Sequence, residues 1–500
     1  MKVAIVGSGA MGAGIAQVAA QAGEEVMLFD SRPGAAEKAV SGVRARFEQM
    51  AAKGKLSSEQ ASAAAKRLLA VASLADLAPA QLVIEAIVED LEAKRTLLSQ
   101  LDAVVSSDCL LATNTSSLSL AAMATALRSP ERLAGMHFFN PAPLMELVEV
   151  VGSIATSLTV LDRIEALARS WRKTPVRVRA TPGFIVNRVA RPFYAEGLRL
   201  LAEQATDPAT LDALMREAGG FRMGPCELTD LIGQDVNFAV TRSVFAAYFG
   251  DPRFQPSLVQ QEMVEAGWLG RKSGRGFYIY GEGAPAPAIS IETARPAPAR
   301  IAMAAGGDSL AEALAQRIEA AGVEVVRNPH LPTDILLRVT DGRTAAELET
   351  GGAQPQPTVV VDLALDYARV KHLAASVSPR SIRPGHTAGW DAIVGALQAA
   401  GIAVTRLRDL PGLAVMRTVA MLANEAADAV HFGVADARGV DLAMGKGVNY
   451  PLGPLAWADR IGIPRITAVL SALGSFYGED RYRISPALRH RQWTGDGFYE

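Results

Sequence analysis

Residues 1–30, MKVAIVGSGAMGAGIAQVAAQAGEEVMLFD, decide the fold of this chain. The apolar run 3–6 predicts a buried parallel strand, and the alanine-rich pattern 11–21 predicts a helix. A second apolar run, 26–29, predicts another strand, which ends on Asp30. The order strand, glycine turn, helix, strand, acid is typical of a βαβ unit that binds a dinucleotide.

The glycines of the turn, spaced as G-x-G-x-x-G, each have a separate purpose. Gly7 permits the tight turn, Gly9 lets the backbone approach a pyrophosphate, and Gly12 lets the helix pack closely on the strand. The unpaired N–H groups at the helix start would bind the phosphates. We therefore expect the cofactor to contact the turn residues Gly7, Ser8, Gly9, Ala10, Met11 and Gly12.

Asp30 lies where a carboxylate can accept hydrogen bonds from both ribose hydroxyls of NAD. Its charge would repel the 2′-phosphate of NADP. The nearby Arg32 weakens that preference a little. The alternative, a glycine-rich turn without a ligand, is disfavoured because strand, helix and acid all stand in their expected places.

Composition bounds the class of protein. The chain has 500 residues, 49% hydrophobic and 20% charged, with a formal net charge of −2. These values predict a globular protein of three or four domains and no bulk attraction to nucleic acid or anionic membrane. The two cysteines, the absence of an apparent signal peptide and the absence of long apolar runs lead us to expect a cytoplasmic protein that neither contacts nor spans a membrane.

Polar residues follow the next predicted strands. A strand in residues 81–89 ends in acids, and a strand at 110–113 is followed by Asn114, Thr115, Ser116 and Ser117. Further strands are predicted at 133–139 and 147–151. In open α/β sheets, ligands bind beyond the carboxyl ends of the strands, so these side chains are expected at a binding crevice.

His137 is the candidate general base. A lone histidine in an apolar strand is usually a core residue, but three observations favour catalysis here. Asn140 lies just beyond it, Ser116 ends another strand of the same sheet, and Glu149 follows twelve positions later, where a strand–turn–strand would bring it opposite. An imidazole oriented by a carboxylate is a suitable base near neutral pH.

The pattern changes to helical after TPGFIVNR at 181–188, and Asn187 in its first turns is a candidate to enter the cleft. We predict five regions, namely an NAD-binding domain at 1–180, a helical domain at 181–280, a linker at 281–300, a degenerate α/β domain at 301–409 and a second helical domain at 410–500.

The second half repeats the first. Residues 301–328 parallel the opening stretch, but Asp308 replaces Gly9, Ala311 replaces Gly12 and Pro329 replaces Asp30. A carboxylate where a pyrophosphate should rest would repel it, so we predict that this region binds no dinucleotide. LPGLAVMR at 410–417 parallels TPGFIVNR, with Met416 in the place of Asn187, which supports a function for Asn187 in the first half only.

The motifs GSGAMGAGIAQ, NTSSLS, HFFNPAP with LVEVV, TPGFIVNR, GPCELTDLIG and GRKSGRGFY together resemble those of the 3-hydroxyacyl-CoA dehydrogenases. The resemblance covers residues 1–280 and the repeated helical region. It implies an α/β Rossmann NAD-binding domain plus an all-helical domain, followed by a degenerate Rossmann-like segment and a second helical domain. The implied chemistry uses NAD and requires no metal ion.

The resemblance also implies roles for individual residues. His137 would be the base, Glu149 would orient it, and Ser116 and Asn187 would bind substrate oxygens. Family positions near NAD match Glu89, Lys94, Asn140 and Lys272, and a position near CoA matches Lys53 weakly.

The sequence leaves three functions open. The duplicated long form is similar to bacterial family members that oxidise 3-hydroxyadipyl-CoA in phenylacetate breakdown. The alternatives are oxidation of 3-hydroxybutyryl-CoA in short-chain fatty acid metabolism and a non-catalytic NAD-binding role. We also expect the two helical domains to pair as an internal pseudo-dimer, with a homo-oligomer as a further expectation.

Overall fold

The structure is a computed structural model that describes residues 1–327, 335–351, 356–383 and 387–499. The chain forms two compact units. The first consists of Met1–Arg188 with Phe432–Val448, and the second of Val189–His431 with Asn449–Glu500. Each unit contains one β-sheet.

The first unit is built on an eight-stranded sheet in the order β3-β2-β1-β4-β5-β6-β7-β8. All neighbours run parallel except β6 and β7, which are antiparallel. The strands are β1 (Lys2–Val6), β2 (Glu25–Phe29), β3 (Leu68–Ala70), β4 (Leu82–Glu85), β5 (Leu110–Thr113), β6 (Leu133–Phe138), β7 (Leu147–Gly152) and β8 (Thr174–Arg179). The short strand β3 lies at one edge of the sheet and pairs with β2.

Helices cover both faces of this sheet, as its nearly continuous apolar strands require. One face packs on α1 (Ala10–Ala22) and α2 (Ala35–Ala52), and the other on α4 (Leu91–Val104). In α4 the residues Leu97, Leu98 and Leu101 form the apolar stripe that faces the sheet. The remaining helices of the unit are α3 (Ser58–Lys66), α5 (Leu120–Ala124), α6 (Leu158–Ser170), α7 (Val186–Val189) and, from the second repeat, α17 (Ala437–Gly447).

The second unit contains a smaller sheet in the order β10-β9-β11-β12-β13-β14, in which only β12 and β13 are antiparallel. Its strands are β9 (Arg300–Met303), β10 (Glu324–Arg327), β11 (Leu336–Val339), β12 (Thr358–Val361), β13 (His372–Val377) and β14 (Ala403–Arg406). Helices α13 (Ser309–Ala320), α14 (Ala345–Thr350) and α15 (Ala388–Ala399) accompany it.

The helices of the second unit come from both repeats. The first repeat supplies α8 (Arg191–Ala202), α9 (Pro208–Glu217), α10 (Pro225–Ile232), α11 (Gln234–Ala247) and α12 (Leu258–Glu265). The second supplies α16 (Val415–His431), α18 (Pro454–Ile461), α19 (Ile463–Tyr477) and α20 (Pro486–Thr494). The predicted fold class, two Rossmann-like sheets and two sets of helices, is confirmed.

Backbone geometry also repeats where the two helical domains begin. Phe184 and Leu413 occupy equivalent places and both have a positive φ, 49° and 52°, which is uncommon for non-glycine residues. In each case a glycine with positive φ precedes them. The shared turn shows that the two sequences fold the same way at this point.

Two helices are exchanged between the repeats. Helix α17 of the second repeat packs on β7 and β8 of the first sheet, while α9, its equivalent in the first repeat, packs on β13 of the second sheet. Within the second unit α8 packs on its equivalent α16. Among the described residues, no helix has the length and apolar character needed to cross a bilayer.

Candidate active site

The glycine turn between β1 and α1 borders a cavity of about 950 Å³. Gly7 has a φ of +103°, and a Cβ there would lie 2.4 Å from the carbonyl oxygen of Ala86. A Cβ on Gly12 would lie 1.8 Å from the carbonyl oxygen of Gly7, whereas a Cβ on Gly9 would meet nothing within 4 Å. Gly7 and Gly12 are therefore required by packing, and Gly9 leaves open the approach that a diphosphate needs.

Asp30 lies at the end of β2 and lines this cavity. Its Oδ2 accepts hydrogen bonds from the backbone N–H of Ser8 at 2.8 Å and from the Ser8 hydroxyl at 2.6 Å. The guanidinium of Arg32 also donates to the carboxylate. The Arg32 hydrogen bond, assisted by those from Ser8, holds the pKa of Asp30 well below its usual range. The acid is thus charged and held against the turn, which fits the ribose of NAD.

A buried lysine connects β4 to the crevice. The ammonium of Lys94 donates to both carboxylate oxygens of Glu85, at 2.9 and 2.8 Å, and lies 3.4 Å from the nearer oxygen of Glu89. Glu85 is fully buried and also accepts from the hydroxyl of Thr113 on β5. The network fixes the lysine between two carboxylates at the carboxyl ends of the strands.

Glu89 in turn organises the serine-rich turn after β5. One of its oxygens accepts from the backbone N–H of Ser116 at 2.9 Å and from that of Ser117 at 3.1 Å. The same oxygen accepts from the hydroxyl of Thr115 at 2.6 Å. Ser116, predicted to bind substrate, is therefore placed by the same acid that the family resemblance puts near NAD.

His137 and Glu149 face each other on the antiparallel strands β6 and β7. The Nδ1 atom of His137 lies 2.7 Å from Oε2 of Glu149, and both side chains are buried. A carboxylate can only accept, so Nδ1 carries the proton and Nε2 is left as the acceptor. Within the described residues Nε2 has no hydrogen-bond partner. The rings of Phe139 and Phe184 enclose the imidazole, with centroids 4.6 and 5.7 Å away.

Glu149 also holds the start of α7. Its second oxygen accepts from the backbone N–H groups of Ile185 and Val186, at 2.9 and 3.0 Å. Asn187 is the next residue, is half-buried and makes no side-chain hydrogen bond within the described residues. One carboxylate therefore orients the predicted base and places the helix that carries the predicted amide.

Three predicted ligand residues are not gathered into this network. Asn140 is exposed just after β6, and Lys53 is exposed at the C-terminal end of α2. Lys272 belongs to the second unit and pairs with Asp235 at 2.5 Å. A second, basic cavity of about 600 Å³ beside the glycine turn is lined by Arg32, Lys38 and Arg46 among others, and Lys53 is not among its lining residues.

In the second repeat, the position equivalent to Gly9 has another use. Asp308 caps the N-terminus of α13 and accepts hydrogen bonds from the backbone N–H groups of Leu310 and Ala311. Its carboxylate also pairs with Arg465, at 2.5 Å. Pro329, the predicted replacement for Asp30, lies outside the described residues. That this region binds no dinucleotide stays a prediction.

Two parts of the site were missed by sequence reasoning. Glu85 was seen only as one of the acids ending a strand, and the second bond of Glu149, to the start of α7, was not foreseen. The available signal for Glu85 was its place as the last residue of a buried strand, nine positions before Lys94. A buried acid in that place needs a cationic partner.

Family models match nearly the whole chain. Residues 2–181 match the NAD-binding domain of 3-hydroxyacyl-CoA dehydrogenase, and residues 183–280 and 412–500 match its C-terminal domain. Residues 337–411 match a reduced Rossmann-fold domain of 3-hydroxybutyryl-CoA dehydrogenase.

Individual relatives fall into a long and a short group. The chain is 45% identical to 3-hydroxyadipyl-CoA dehydrogenase of Escherichia coli over 99% of this chain and 98% of that protein. A crystal structure described as 3-hydroxybutyryl-CoA dehydrogenase from E. coli covers 99% of this chain and 98% of its own, with 43% identity and a TM-score of 0.89. Among short relatives, a probable 3-hydroxybutyryl-CoA dehydrogenase of Bacillus subtilis is 38% identical over 56% of this chain and 98% of its own length.

Proposed function

Because this chain belongs to the 3-hydroxyacyl-CoA dehydrogenase family, we propose that it oxidises the 3-hydroxyl of 3-hydroxyadipyl-CoA to a 3-oxo group. The observation that carries the chemistry is the buried pair of His137 and Glu149 with Nε2 of the imidazole left as an acceptor. The chain is an NAD-dependent oxidoreductase, and NAD supplies the acceptor for the hydride that leaves C3.

His137 acts as the general base in this proposal. Its Nε2 takes the proton of the substrate 3-hydroxyl, and the imidazolium that forms is stabilised by the Glu149 carboxylate at Nδ1. Phe139 and Phe184 keep water away from the ring, which strengthens the interaction between the two charges. Glu149 thus provides both the tautomer and the electrostatic support for proton transfer.

Ser116 and Asn187 bind the substrate oxygens. Glu89 accepts a hydrogen bond from the backbone N–H of Ser116. Glu149 accepts one from the backbone N–H of Val186, the residue before Asn187. Both side chains are therefore on backbone that is fixed before substrate arrives, which lowers the cost of orienting the reacting carbon.

The NAD site follows from the first unit. The glycine turn would receive the diphosphate, and Asp30 the adenosine ribose, with a charge that disfavours the 2′-phosphate of NADP. Lys94 and Glu89 would lie towards the nicotinamide end. Asn140 and Lys272 are kept as NAD contacts, and Lys53 as a CoA contact, on the family resemblance alone. The two buried free cysteines suit a reducing, cytoplasmic location.

The adipyl substrate is favoured by identity over nearly the full chain to the E. coli 3-hydroxyadipyl-CoA dehydrogenase. The rival is 3-hydroxybutyryl-CoA, which the description of the E. coli crystal structure favours. Oxidation of either substrate would use the same catalytic residues, so the two reactions differ only in the acyl chain that the enzyme binds.

Steady-state NADH formation on the two compounds tests the proposal. We expect kcat/KM for 3-hydroxyadipyl-CoA to exceed that for 3-hydroxybutyryl-CoA by more than about tenfold, or roughly 1.4 kcal/mol of transition-state binding. Equal or reversed values would favour the rival. Failure to oxidise either compound, with NAD still bound, would point to a non-catalytic NAD-binding protein.

We also propose that the two helical repeats form an internal pseudo-dimer. The equivalent helices α8 and α16 pack on each other, and Arg417 pairs with Glu196 at 2.5 Å in the buried interface. A chain ending near Gly281 would lose this partner and the helix that covers β8. We expect such a chain to dimerise or aggregate; a soluble, fully active monomer would contradict the pseudo-dimer.

A further inference from the structure

Helix α17 belongs to the second repeat but lies in the first unit, beside the candidate active site. It packs on β7 and β8. The segment before it continues along the edge of the sheet, because the carbonyl oxygen of Val434 accepts from the backbone N–H of Arg179 at 2.8 Å. Strand β7 carries Glu149, the carboxylate that faces His137. The second repeat thus supports a site whose predicted catalytic residues all come from the first.

Gly447, the last residue of α17, lies against two elements of that site. It is buried, and a Cβ built on it would lie 2.7 Å from Cδ2 of Leu147 and 2.9 Å from Cγ2 of Val186. Carbon atoms in contact are about 3.5–4.0 Å apart, so a methyl group at Gly447 would displace its neighbours by roughly 0.5 to 1 Å. Both neighbours are buried, which leaves their side chains little space to turn into.

Leu147 and Val186 belong to the two elements that Glu149 joins. Leu147 begins β7, and because side chains alternate along a strand, it lies on the same face of the sheet as Glu149. Val186 begins α7, donates its backbone N–H to Glu149 at 3.0 Å and precedes Asn187. Gly447 therefore packs against both the strand that carries the carboxylate and the helix whose start the carboxylate holds.

An ion pair holds the same end of α17. The ammonium of Lys446 lies 2.6 Å from a carboxylate oxygen of Glu146, the residue before β7. The hydrogen bond from Lys446 lowers the pKa of Glu146 below its ordinary value. Both side chains are exposed, so the pair contributes little to stability. It nevertheless fixes the C-terminal end of α17 beside the first residues of β7.

The equivalent helix of the first repeat has a larger residue in this place. The ungapped alignment of 410–417 with 181–188 also matches 453–454 to 224–225, and it puts Ala218, just after α9, in the position of Gly447. Helix α9 packs on β13 of the second sheet. Glycine is a poor helix former, so its use in α17 needs a packing reason. The methyl group is absent from the helix that faces the proposed catalytic pair and present in the one that does not.

We propose that Gly447 is a positioning residue for the proposed dehydrogenase reaction. Because it has no side chain, α17 can hold β7 and the start of α7 at the separation that lets Glu149 bond to both His137 and α7. This inference rests on the proposed function and concerns the same site. It gives the second repeat a part in catalysis, in addition to the pairing of the helical domains.

Gly447→Ala tests the proposal with a single methyl group. We expect kcat to fall at least about tenfold, because a displacement of about 1 Å at a catalytic group costs up to about 100-fold. KM and Kd for NAD should stay within about twofold, since the glycine turn and Asp30 lie on other strands. Rates are measured with whichever of 3-hydroxyadipyl-CoA and 3-hydroxybutyryl-CoA the unaltered enzyme oxidises faster.

The matched control is Gly445→Ala in the same helix, where an added Cβ would meet nothing within 4 Å. Alanine favours a helix over glycine, so this variant should be at least as stable as the unaltered protein. Its kcat should stay within about twofold. If Gly445→Ala lost as much activity as Gly447→Ala, the effect would belong to the helix in general and the proposal would be overturned.

Val186→Ala provides a compensating change. Alone it removes the methyl groups that lie against Gly447, and we expect kcat to fall about threefold because the start of α7 is held less firmly. In the double variant with Gly447→Ala, the added methyl group occupies the space that was lost. The double variant should therefore recover at least about threefold in kcat over Gly447→Ala. A protein that had only lost stability would not be rescued by a second loss of packing.

An unchanged kcat in Gly447→Ala, or strictly additive losses in the double variant, would overturn the proposal while the dehydrogenase assignment stood. If Gly447→Ala failed to fold, Val186→Ala would still decide, and an unchanged kcat in that variant would overturn the proposal. If the unaltered enzyme oxidised neither compound, the proposed function and this inference would both fail.

Discussion

The two sheets place different residues at one equivalent cross-strand position. In the first, His137 on β6 faces Glu149 on β7. The matching register in the second sheet puts Asp362, just after β12, opposite Ala374 on β13, and the N–H of Asp362 donates to the carbonyl oxygen of Ala374 at 2.9 Å. Where the first sheet has an imidazole the second has a carboxylate, and where the first has a carboxylate the second has a methyl group.

In the second sheet the carboxylate lies on the opposite strand of the antiparallel pair, but it makes the same kind of contact. Asp362 accepts from the backbone N–H groups of Ala414, Val415 and Met416 at 2.9, 2.7 and 3.0 Å. In the first sheet Glu149 accepts from the equivalent N–H groups of Ile185 and Val186. Both repeats therefore place a buried acid at the N-terminus of the helix that follows, where unpaired N–H groups favour it.

The chemistry, in contrast, survives in one repeat only. Strand β11 pairs directly with β12, so the described residues of the second sheet include no counterpart of β5 or of the turn that carries Ser116. Val339 occupies the register position of Glu85, and Met416 replaces Asn187. Both halves keep an acid at the helix start for the fold, whereas the proposed catalysis needs the base, the amide and the serine turn only once.

The largest effect should come from Glu149→Gln. The amide oxygen can still accept from the N–H groups of α7, but the NH₂ group would face Nδ1 of His137 and favour the wrong tautomer. We expect kcat to fall at least about 100-fold with little change in KM. Thermal unfolding should shift by only a few degrees. Activity within about threefold of the unaltered enzyme would show that Glu149 serves the helix alone.

The second largest effect should come from Glu85→Gln. This variant tests the contacts of Lys94 with Glu85 and Glu89, and in the second sheet Val339 stands in the place of Glu85. Loss of the buried charge should leave Lys94 without its main partner, and kcat/KM for NAD should fall about tenfold. Asp162→Asn is the control, because Asp162 lies exposed on α6, pairs with Arg177 and is not among the residues that line the cavity at the glycine turn. If both variants behaved alike, Glu85 would have no positioning role.

A smaller effect, on stability only, is expected from Asp362→Asn. Burial raises the pKa of Asp362 to about 6, although the backbone N–H groups oppose this. Between about pH 4 and 6 the folded chain then holds a proton that the unfolded chain has released, so the contribution of Asp362 to stability falls as pH rises.

Urea unfolding at pH 4 and pH 7 measures this effect. The free energy of unfolding of the unaltered protein, relative to Asp362→Asn, should decrease by roughly 2.4 kcal/mol between the two values. A difference independent of pH would mean that the N–H groups keep the carboxylate ionised throughout. Activity per folded molecule should be the same for both proteins.

The smallest effect is expected from Arg465→Met, which breaks the partly exposed pair with Asp308. The cost should be about 1 kcal/mol of stability. Calorimetric titration with NAD should give one site per chain before and after the change. A second site appearing in the variant would contradict our prediction that Asp308 itself excludes a dinucleotide.

The sequence by itself determined the local parts of this protein. The glycine turn, the helix α1 that follows it and the opposition of His137 and Glu149 were all predicted, because each depends on spacing within a short stretch. The duplication was also visible, since equivalent turns require equivalent residues, as at Phe184 and Leu413.

Only the tertiary structure decided which distant side chains meet. The burial of Lys94 against Glu85 and the transfer of the helix-start acid to Asp362 depend on strand register and on which helices pack together. The Asp362 contact with Val415 joins residues 53 positions apart, and a shift of one residue in a strand would turn either Glu85 or Asp362 to the other face of its sheet. Residue spacing does not carry that information.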